Sequence, residues 1–509
     1  MTESFLLYQN CSTDGKKAYH SRRDITKDLN LDIVFRTMAK EDSLIYEKVS
    51  KVMMIPLHSP EEICYRQEII QDFSNHPKLL ERMYECAKRQ ETELNKFKQK
   101  RQMNLTRSHS KVGEMLETLA YLTQGQRDQI ALYELLGDYE GRLSCEGLIG
   151  FYRRLGDEPL SQMGEKLEEL QYFVSGGVQT YSFRLGGGMK IEQVCLNDCA
   201  KEKRRLPKEG TGKLRNLIQN WKKNTMSTTN HAALKEDIEH LTEVTMETIV
   251  KMFGGYLEQM MRFYEHFVEE ISFYMGAVRF IKRFKEIGLP LCRPVPGPTG
   301  TGTVLAEGLY ELSMAIYTQT KPVDNRISLC ENKLTLITGA NQGGKSTFLR
   351  SYGIAQVLMQ CGMPVAADRF EAPIYHQIFT HFTRRESEKL DSGRLKEELK
   401  RMSDMIEATV PDSLFLLNES FASTTEKEGA NIARGILRAF YEKGIVTFMV
   451  THLYQLANEL YEQKPVNVTF LTAQRLESGE RTFRMIPGRP TSTSYGTDLF
   501  RALEEELKS

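Results

Sequence analysis

The chain has 509 residues, which is room for about three or four domains of ordinary size. Its 68 Lys and Arg balance 68 Asp and Glu, which excludes a uniformly basic, histone-like nucleic-acid binder but not a local basic patch. It contains no apolar run near the roughly 18 residues that a membrane span needs, and its N-terminus lacks a signal-peptide pattern. The nine cysteines are scattered, which predicts a reducing, cytoplasmic location.

Two stretches are predicted to form long helices. Residues 78–170 contain one proline, and residues 231–285 contain none and have apolar residues at helical spacing. Between them, apolar and polar residues alternate in residues 178–185 and 189–195, on either side of three consecutive glycines. This pattern predicts a β-hairpin. We therefore interpret residues 171–230 as a small insertion between two helical arms.

The insertion carries a dense positive charge. Residues 201–223 hold nine Lys and Arg against two Glu, a local charge of +7 in a neutral chain. Such a cluster can contact nucleic-acid phosphates, and the alternative is a solvated surface with no specific partner. The candidate DNA-binding residues are Lys201, Lys203, Arg204, Arg205 and Lys208.

A segment rich in Pro and Gly, residues 289–302, marks a boundary, and the pattern changes after it. Short apolar strands then alternate with helices, at Leu334–Thr338 and at residues 414–417, 445–450 and 468–471. This alternation predicts an α/β domain with a largely parallel sheet.

Residues 339–346 (GANQGGKS) fit the phosphate-loop pattern G-x-x-x-x-G-K-[ST], between a predicted strand and a helix from Ser346 to about Gln360. Glycines let backbone N–H groups surround phosphate oxygens, Lys345 reaches the β- and γ-phosphates, and Ser346 ligates Mg²⁺. A simple Gly-rich turn is the alternative. We expect ATP and Mg²⁺ to bind at Gly339, Asn341, Gly343, Gly344, Lys345, Ser346 and Thr347.

Two further strands end in polar residues that suit the same chemistry. At Asn418-Glu419, a P-loop ATPase has an Asp that helps to hold Mg²⁺ and a Glu that polarises the attacking water. Because Asn418 adds no negative charge, we expect weaker metal binding and slow hydrolysis, with Glu419 as the catalytic base. His452, after the strand 445–450, is a candidate to contact the γ-phosphate or the water. Ordinary solvated polar residues at strand ends are the alternative for both.

Together these motifs resemble those of the MutS family of DNA mismatch-repair ATPases. Residues 338–347 resemble its phosphate loop, and Asn418-Glu419 with residues 423–429 (STTEKEG) resemble its Walker B strand and the following loop. Residues 451–456 (THLYQL) resemble its Thr-His motif, and residues 494–496 (SYG) match a motif near the end of its ATPase domain. Residues 291–294 and the segment from Pro56 to Phe73 are similar in weaker form.

The resemblance implies a multidomain fold: a long-helix core and lever, a clamp-like insertion that contains β-structure, and an α/β P-loop ATPase domain of ABC type. The corresponding boundaries are 1–170 for the core and lever, 171–230 for the clamp, 231–290 for the returning lever helices and 291–509 for the ATPase domain. The resemblance also implies a homodimer formed through the ATPase domains. The partner would contribute a signature loop at Ser392, Gly393 and Glu398, although a solvated charged helix is the alternative there.

The likeness has limits that bear on function. The core-like segment begins near residue 20, and 13 residues follow Gly496. We therefore expect a short, divergent branch of the family without the mismatch-reading domain, the C-terminal dimerisation helices or a nuclease domain.

Three functions remain open at this point. The first is an ATP-controlled clamp or sensor of branched or damaged DNA. The second is an ABC-type ATPase that acts on an RNA–protein particle or another non-DNA partner. The third is a nucleotide-binding regulator with little hydrolysis. None of the three involves a membrane.

Overall fold

The computed structural model describes residues 6–9, 17–106, 111–157, 167, 180–185, 191–197, 231–300, 302–383, 393–476 and 480–491. The chain divides into two compact units. The helical unit consists mainly of Glu85–Arg142 and Gly150–Val268, and the sheet unit of Phe5–Tyr84, Leu143–Ile149 and Glu269–Ser509. None of the helices in the described part of the chain is both long and apolar enough to cross a membrane.

Helices and strands both contribute to the described residues. The helices are α1 (Arg22–Asp28), α2 (Leu31–Ala39), α3 (Ser43–Val52), α4 (Pro60–Asn75), α5 (Pro77–Thr106), α6 (Lys111–Gly137), α7 (Glu146–Asp157), α8 (His231–Glu286), α9 (Leu312–Thr318), α10 (Lys345–Gln360), α11 (Arg394–Glu407), α12 (Glu426–Glu442) and α13 (Tyr454–Gln463). The strands are β1 (Thr180–Leu185), β2 (Ile191–Asn197), β3 (Val295–Thr299), β4 (Val304–Leu309), β5 (Asn325–Leu329), β6 (Leu334–Thr338), β7 (Arg369–Ile374), β8 (Ile378–Phe382), β9 (Leu414–Asn418), β10 (Val446–Val450), β11 (Val468–Arg475) and β12 (Arg481–Pro487).

The predicted long helices are confirmed. The proline-free stretch after residue 230 forms the single 56-residue helix α8, about 84 Å long at 1.5 Å per residue. Within the helical unit its apolar residues recur every three or four positions, and the ring of Phe263 stacks near Phe267 and Phe151 at centroid distances of 5.9 and 6.4 Å. The buried Tyr264 hydroxyl donates a hydrogen bond to the carbonyl of Gly125, 2.5 Å away.

The predicted hairpin is also confirmed, because β1 and β2 pair antiparallel from Thr180 opposite Asn197 to Leu185 opposite Ile191. The five basic residues proposed to contact DNA, from Lys201 to Lys208, lie outside the described residues. The four domain boundaries predicted from the sequence therefore stay predictions.

The main sheet of the sheet unit has six strands in the order β12-β11-β6-β10-β9-β8. Strands β11, β6, β10, β9 and β8 are parallel, and β12 is antiparallel to β11. Both faces are buried, which explains the continuous apolar runs in these strands. Phe415 and Met449 pack with Phe440 of α12 on one face. On the other face Phe448 stacks on Tyr352 of α10, with ring centroids 4.3 Å apart.

A second sheet, which the sequence analysis did not predict, has the order β3-β7-β4-β5. Strand β7 pairs parallel with β3 and antiparallel with β4, and β4 pairs antiparallel with β5. Since β7 lies on the far side of α10 in sequence, this sheet and the six-stranded sheet are built from interleaved segments of the chain.

Helix α1 places one carboxyl group in an apolar setting. Asp28 is 8% exposed, and its Oδ2 atom has no hydrogen-bond partner among the described residues. Burial raises the pKa of this carboxyl from 3.8 to about 6, and the nearby Thr380 hydroxyl and the positive charge of Arg401 offset the effect only in part. Arg401 also approaches Asp24, with 3.7 Å between Nη2 and Oδ2.

The raised pKa of Asp28 predicts a pH-dependent stability. The folded protein holds this proton more tightly than the unfolded chain, so the stabilisation is complete below about pH 4 and is lost as pH rises through about 6. We expect Asp28→Asn to increase the free energy of unfolding relative to wild type by on the order of 1–3 kcal/mol at pH 8, and to lose this advantage by pH 4. Denaturant unfolding at both pH values measures the difference.

A matched control is Asp32→Asn. Hydrogen bonds from Arg36 and Tyr46 lower the pKa of Asp32, so the stability that Asp32 contributes is present at neutral pH and is lost in acid. The two variants should therefore differ from wild type with opposite signs at pH 8. The same sign for both would contradict the burial of a costly charge at Asp28.

Candidate functional site

The phosphate loop lies where the sequence predicts it, between β6 and α10. Gly339 and Gly344 have φ values of +121° and +89°, in the left-handed region that side chains disfavour. A Cβ atom on Gly343 would lie 2.9 Å from the carbonyl oxygen of Ala340, closer than real Cβ atoms approach backbone. The loop therefore needs these glycines for its conformation.

Lys345 is held against the loop that it follows. Its Nζ atom donates hydrogen bonds to the carbonyl oxygens of Gly339, at 2.7 Å, and Ala340, at 2.9 Å. The residue is only 5% exposed. Burial lowers the pKa of its ammonium group, and the negative charge of Glu419 acts in the opposite direction. A buried cation bonded to neutral carbonyls is suited to an anionic ligand, which would supply the missing countercharge.

Ser346 and Asn418 meet across the edge of the sheet. The Ser346 hydroxyl donates a hydrogen bond to Oδ1 of Asn418, with 2.7 Å between the oxygens. The contact forms because β6, β10 and β9 are parallel neighbours, so their carboxyl ends reach the same edge. Both atoms are hard oxygen donors of the type that Mg²⁺ prefers, either directly or through water. The residues therefore fit a magnesium site in chemical type, with one fewer negative charge than an Asp would give.

Glu419 follows β9 and lines the same cleft. Its backbone is left-handed, with φ of +54°, and its N–H donates to the carbonyl of Val450 at 2.9 Å. Thr383 Oγ1 donates to the Glu419 carbonyl at 2.8 Å. These contacts hold the main chain and leave the half-buried carboxylate directed to the cleft.

The cleft has a volume of about 400 Å³ and two different walls. One wall is the phosphate loop with the start of α10, and the other is largely apolar. Sequence reasoning missed the second wall, because its residues belong to no motif and come from segments far apart in the chain. No sequence signal marks these residues, and in the structure three of their apolar side chains are partly exposed, 48% for Met314 and 45% for Val323 and Phe483. The wall consists of Met314, Pro322, Val323, Asn325 and Phe483.

The predicted site residues are brought together to different degrees. Those that line the cleft are Asn341, Gly343, Gly344, Lys345, Ser346, Thr347 and Glu419. Gly339 and Asn418 hold Lys345 and Ser346 through hydrogen bonds. His452 directly follows β10, the strand that lies between β6 and β9. The residue is half-buried and does not line the cleft.

The proposed signature residues differ in how far they are buried. Gly393 is exposed at the start of α11, and Ser392 lies outside the described residues. Glu398 is 8% exposed, and its Oε2 accepts a hydrogen bond from Ser423 at 2.8 Å. The Glu398 side chain therefore makes its contacts within its own chain, whereas Gly393 is accessible to a partner.

Comparison with known proteins finds family models that match two segments of the chain. The family model for MutS domain V matches residues 335–504, and the model for the MutS2 N-terminal domain matches residues 58–287. The chain is 32% identical over 186 residues to the DNA mismatch repair protein MutS of Thermus aquaticus, which is 36% of this chain and 22% of that protein. It is 26% identical over 218 residues to the endonuclease MutS2 of Gemmatimonas aurantiaca, 42% of this chain and 26% of that protein.

A second endonuclease MutS2, from Thermus thermophilus, is 29% identical over 204 residues, which is 39% of this chain and 27% of that protein. The chain thus spans about a quarter of the length of the curated relatives that it matches.

The position of Lys345 gives a direct test of the cleft. We expect Lys345→Ala to abolish detectable binding of a fluorescent ATP analogue while the protein stays folded, because the variant removes the cation of the loop. Lys443→Ala, an exposed lysine at the end of α12, is the matched control and should bind as wild type does. Equal affinity in the Lys345 variant would contradict the assignment of the cleft.

Proposed function

The chain belongs to the MutS family, and we propose that it is a DNA-binding ATPase that hydrolyses ATP slowly and acts as a clamp or sensor of branched or damaged DNA. The observation that carries the proposal is the pair formed by Ser346 and Asn418 beside Lys345 and Glu419, at the edge of one cleft. This pair joins the two motifs that nucleotide hydrolysis requires, and does so with an amide in place of a carboxylate.

The two walls of the cleft suit the two ends of ATP. The loop N–H groups and Lys345 bind the phosphates, and the N-terminus of α10 adds its positive dipole. The adenine ring of ATP packs on the opposite wall, against Met314, Val323 and Phe483, which are otherwise partly exposed apolar side chains.

Glu419 is proposed as the base and Ser346 with Asn418 as the metal-holding pair. Bound Mg²⁺ neutralises charge on the phosphate oxygens. Glu419 accepts a proton from the attacking water, whose oxygen bonds to the γ-phosphorus as the bond from that phosphorus to the departing ADP oxygen breaks. His452, at the end of β10, orients the water or the γ-phosphate. Because Asn418 offers a dipole rather than a charge, the reaction is slow.

Slow hydrolysis favours a clamp over a motor, because an ATP-bound dimer would stay closed for long periods. In this proposal residues 291–509 form the ATPase domain, residues 1–170 and 231–290 the lever, and residues 171–230 the clamp that holds DNA phosphates. Two chains pair through the ATPase domains, with Gly393 and Ser392 near the partner. Asn418 also supports a second candidate, a nucleotide-binding regulator of the same family in which hydrolysis is nearly absent.

Replacing Asn418 with Asp tests the proposed cause of slow turnover. The change keeps the acceptor for Ser346 and adds one negative charge at the metal, so we expect a higher rate or a lower Mg²⁺ concentration at half-maximal rate. Glu419→Gln keeps the shape but removes the base and should lower the remaining turnover by about 100-fold or more. The measurement is steady-state ATP turnover against Mg²⁺ concentration. Fast wild-type turnover that Asn418→Asp leaves unchanged would refute the slow-clamp proposal.

The clamp is tested by the salt dependence of DNA binding. Reversing Arg204, Arg205 and Lys208 to Glu should weaken binding to forked and duplex DNA regardless of sequence. Each phosphate contact that is lost should reduce the magnitude of the negative slope of log K against log salt concentration by about 0.9. The control reverses three exposed lysines elsewhere, Lys78, Lys427 and Lys443.

If both triple variants keep the wild-type slope, the basic stretch is solvated surface. A structured RNA included in the same binding series distinguishes a DNA-binding protein from one that acts on an RNA–protein particle.

A further inference from the structure

The turn that carries Glu419 has an unfavourable backbone conformation. Glu419 and Phe421 both have positive φ, +54° and +65°, although neither is a glycine. Such residues persist only where their surroundings determine the conformation, and they are frequent at functional sites. Ser420, between them, is fully buried. The position of Glu419 therefore depends on what holds Ser420 and Phe421.

The side chain that holds this turn is His381, in the adjacent strand β8. It is fully buried, and its Nδ1 lies 2.7 Å from the Ser420 hydroxyl oxygen. The same hydroxyl is 3.0 Å from the His381 carbonyl oxygen. The imidazole ring also stacks beside Phe421, with ring centroids 5.9 Å apart. One histidine thus contacts both residues that follow the proposed base.

The other edge of the ring faces helix α11. Nε2 of His381 is 3.3 Å from the carbonyl oxygen of Glu398. A carbonyl can only accept, so Nε2 carries the proton in this contact. In a neutral ring Nδ1 then accepts, and the single Ser420 hydroxyl proton is shared between Nδ1 and the His381 carbonyl oxygen in a three-centre hydrogen bond. Glu398 is itself bonded to Ser423 through its carboxylate, at 2.8 Å. His381 therefore lies between the turn that follows β9 and helix α11.

We propose that His381 is a positioning residue for Glu419 and that it makes the position of this base depend on helix α11. The inference rests on the proposed ATP hydrolysis and adds its regulation. A shift of α11 moves the Glu398 carbonyl, and a ring that is closely packed on both edges transmits the shift to Ser420 and so to Glu419. Since the exposed Gly393 directly precedes α11, a partner chain that contacts this end would adjust the position of Glu419 through His381.

Two substitutions separate the two edges of the ring. The amide of His381→Asn can reach the Nδ1 position and keep the bond to Ser420, whereas the amide of His381→Gln can reach the Nε2 position and keep the bond to α11. We expect His381→Gln to lower kcat for ATP about 10- to 100-fold with an unchanged KM, because the base shifts while the cleft walls stay intact. His381→Asn should remain much closer to the wild-type kcat. Ser420→Ala should resemble His381→Gln.

The coupling to α11 is tested by a double-mutant cycle. Ser423→Ala releases the carboxylate of Glu398 and should lower kcat in the wild-type background. In the His381→Asn background, where the link to α11 is absent, the same change should have no further effect. Thr447→Val, at a buried position of β10, is the control for a substitution inside the sheet and should keep the wild-type kcat.

The outcomes distinguish this inference from the function on which it rests. If the wild-type protein binds ATP but shows no turnover that Glu419→Gln reduces, the proposed function and the inference both fail. If turnover depends on Glu419 but His381→Gln and Ser420→Ala keep the wild-type kcat, only the inference fails. It also fails if these variants lose ATP binding and thermal stability together with kcat, since His381 would then be a structural residue alone, or if Ser423→Ala acts equally in both backgrounds.

Discussion

The site depends on one contact, the hydrogen bond from the Ser346 hydroxyl to the Asn418 side chain. These residues are far apart in the chain, and they meet because β10 lies between β6 and β9 with all three strands parallel. Val450 marks this alignment, since it pairs with Ile337 at the end of β6 and with Asn418 at the end of β9. A shift of register by one residue would turn the side chain of Asn418 to the other face of the sheet. The apolar packing on both faces therefore also fixes the geometry of the polar edge.

Much of this arrangement could be predicted from the sequence, because its signals are local. The strand before the Gly-rich loop and the helix after it follow from an apolar run and glycine spacing, and the structure confirms both elements at Leu334–Thr338 and Lys345–Gln360. The hairpin and the 56-residue helix follow from periodicity of two and of 3.6 residues. In each case the information lies within one continuous segment.

The missed features depend on contacts between distant segments. The four-stranded sheet pairs β3, which contains two prolines, with β7, and neither strand shows clean alternation. The apolar wall of the cleft combines Met314 and Val323 with Phe483, and no local pattern links them. Glu398 was predicted to face a partner from motif likeness alone. Its burial against Ser423 results from the packing of α11 on the sheet unit, which a linear motif does not contain.

An amide rather than a carboxylate at position 418 matters for Lys345 as well as for the proposed metal site. Asn accepts the Ser346 hydroxyl as Asp would, so the geometry is kept while one negative charge is removed. Glu419 is then the acidic group that offsets the burial of the Lys345 ammonium, and the net charge of the site is more positive. A more positive site attracts the phosphates of a nucleotide but holds Mg²⁺ less firmly. In the proposed function, an amide at this position therefore favours nucleotide binding and disfavours the metal-dependent step, which together would give long-lived ATP binding.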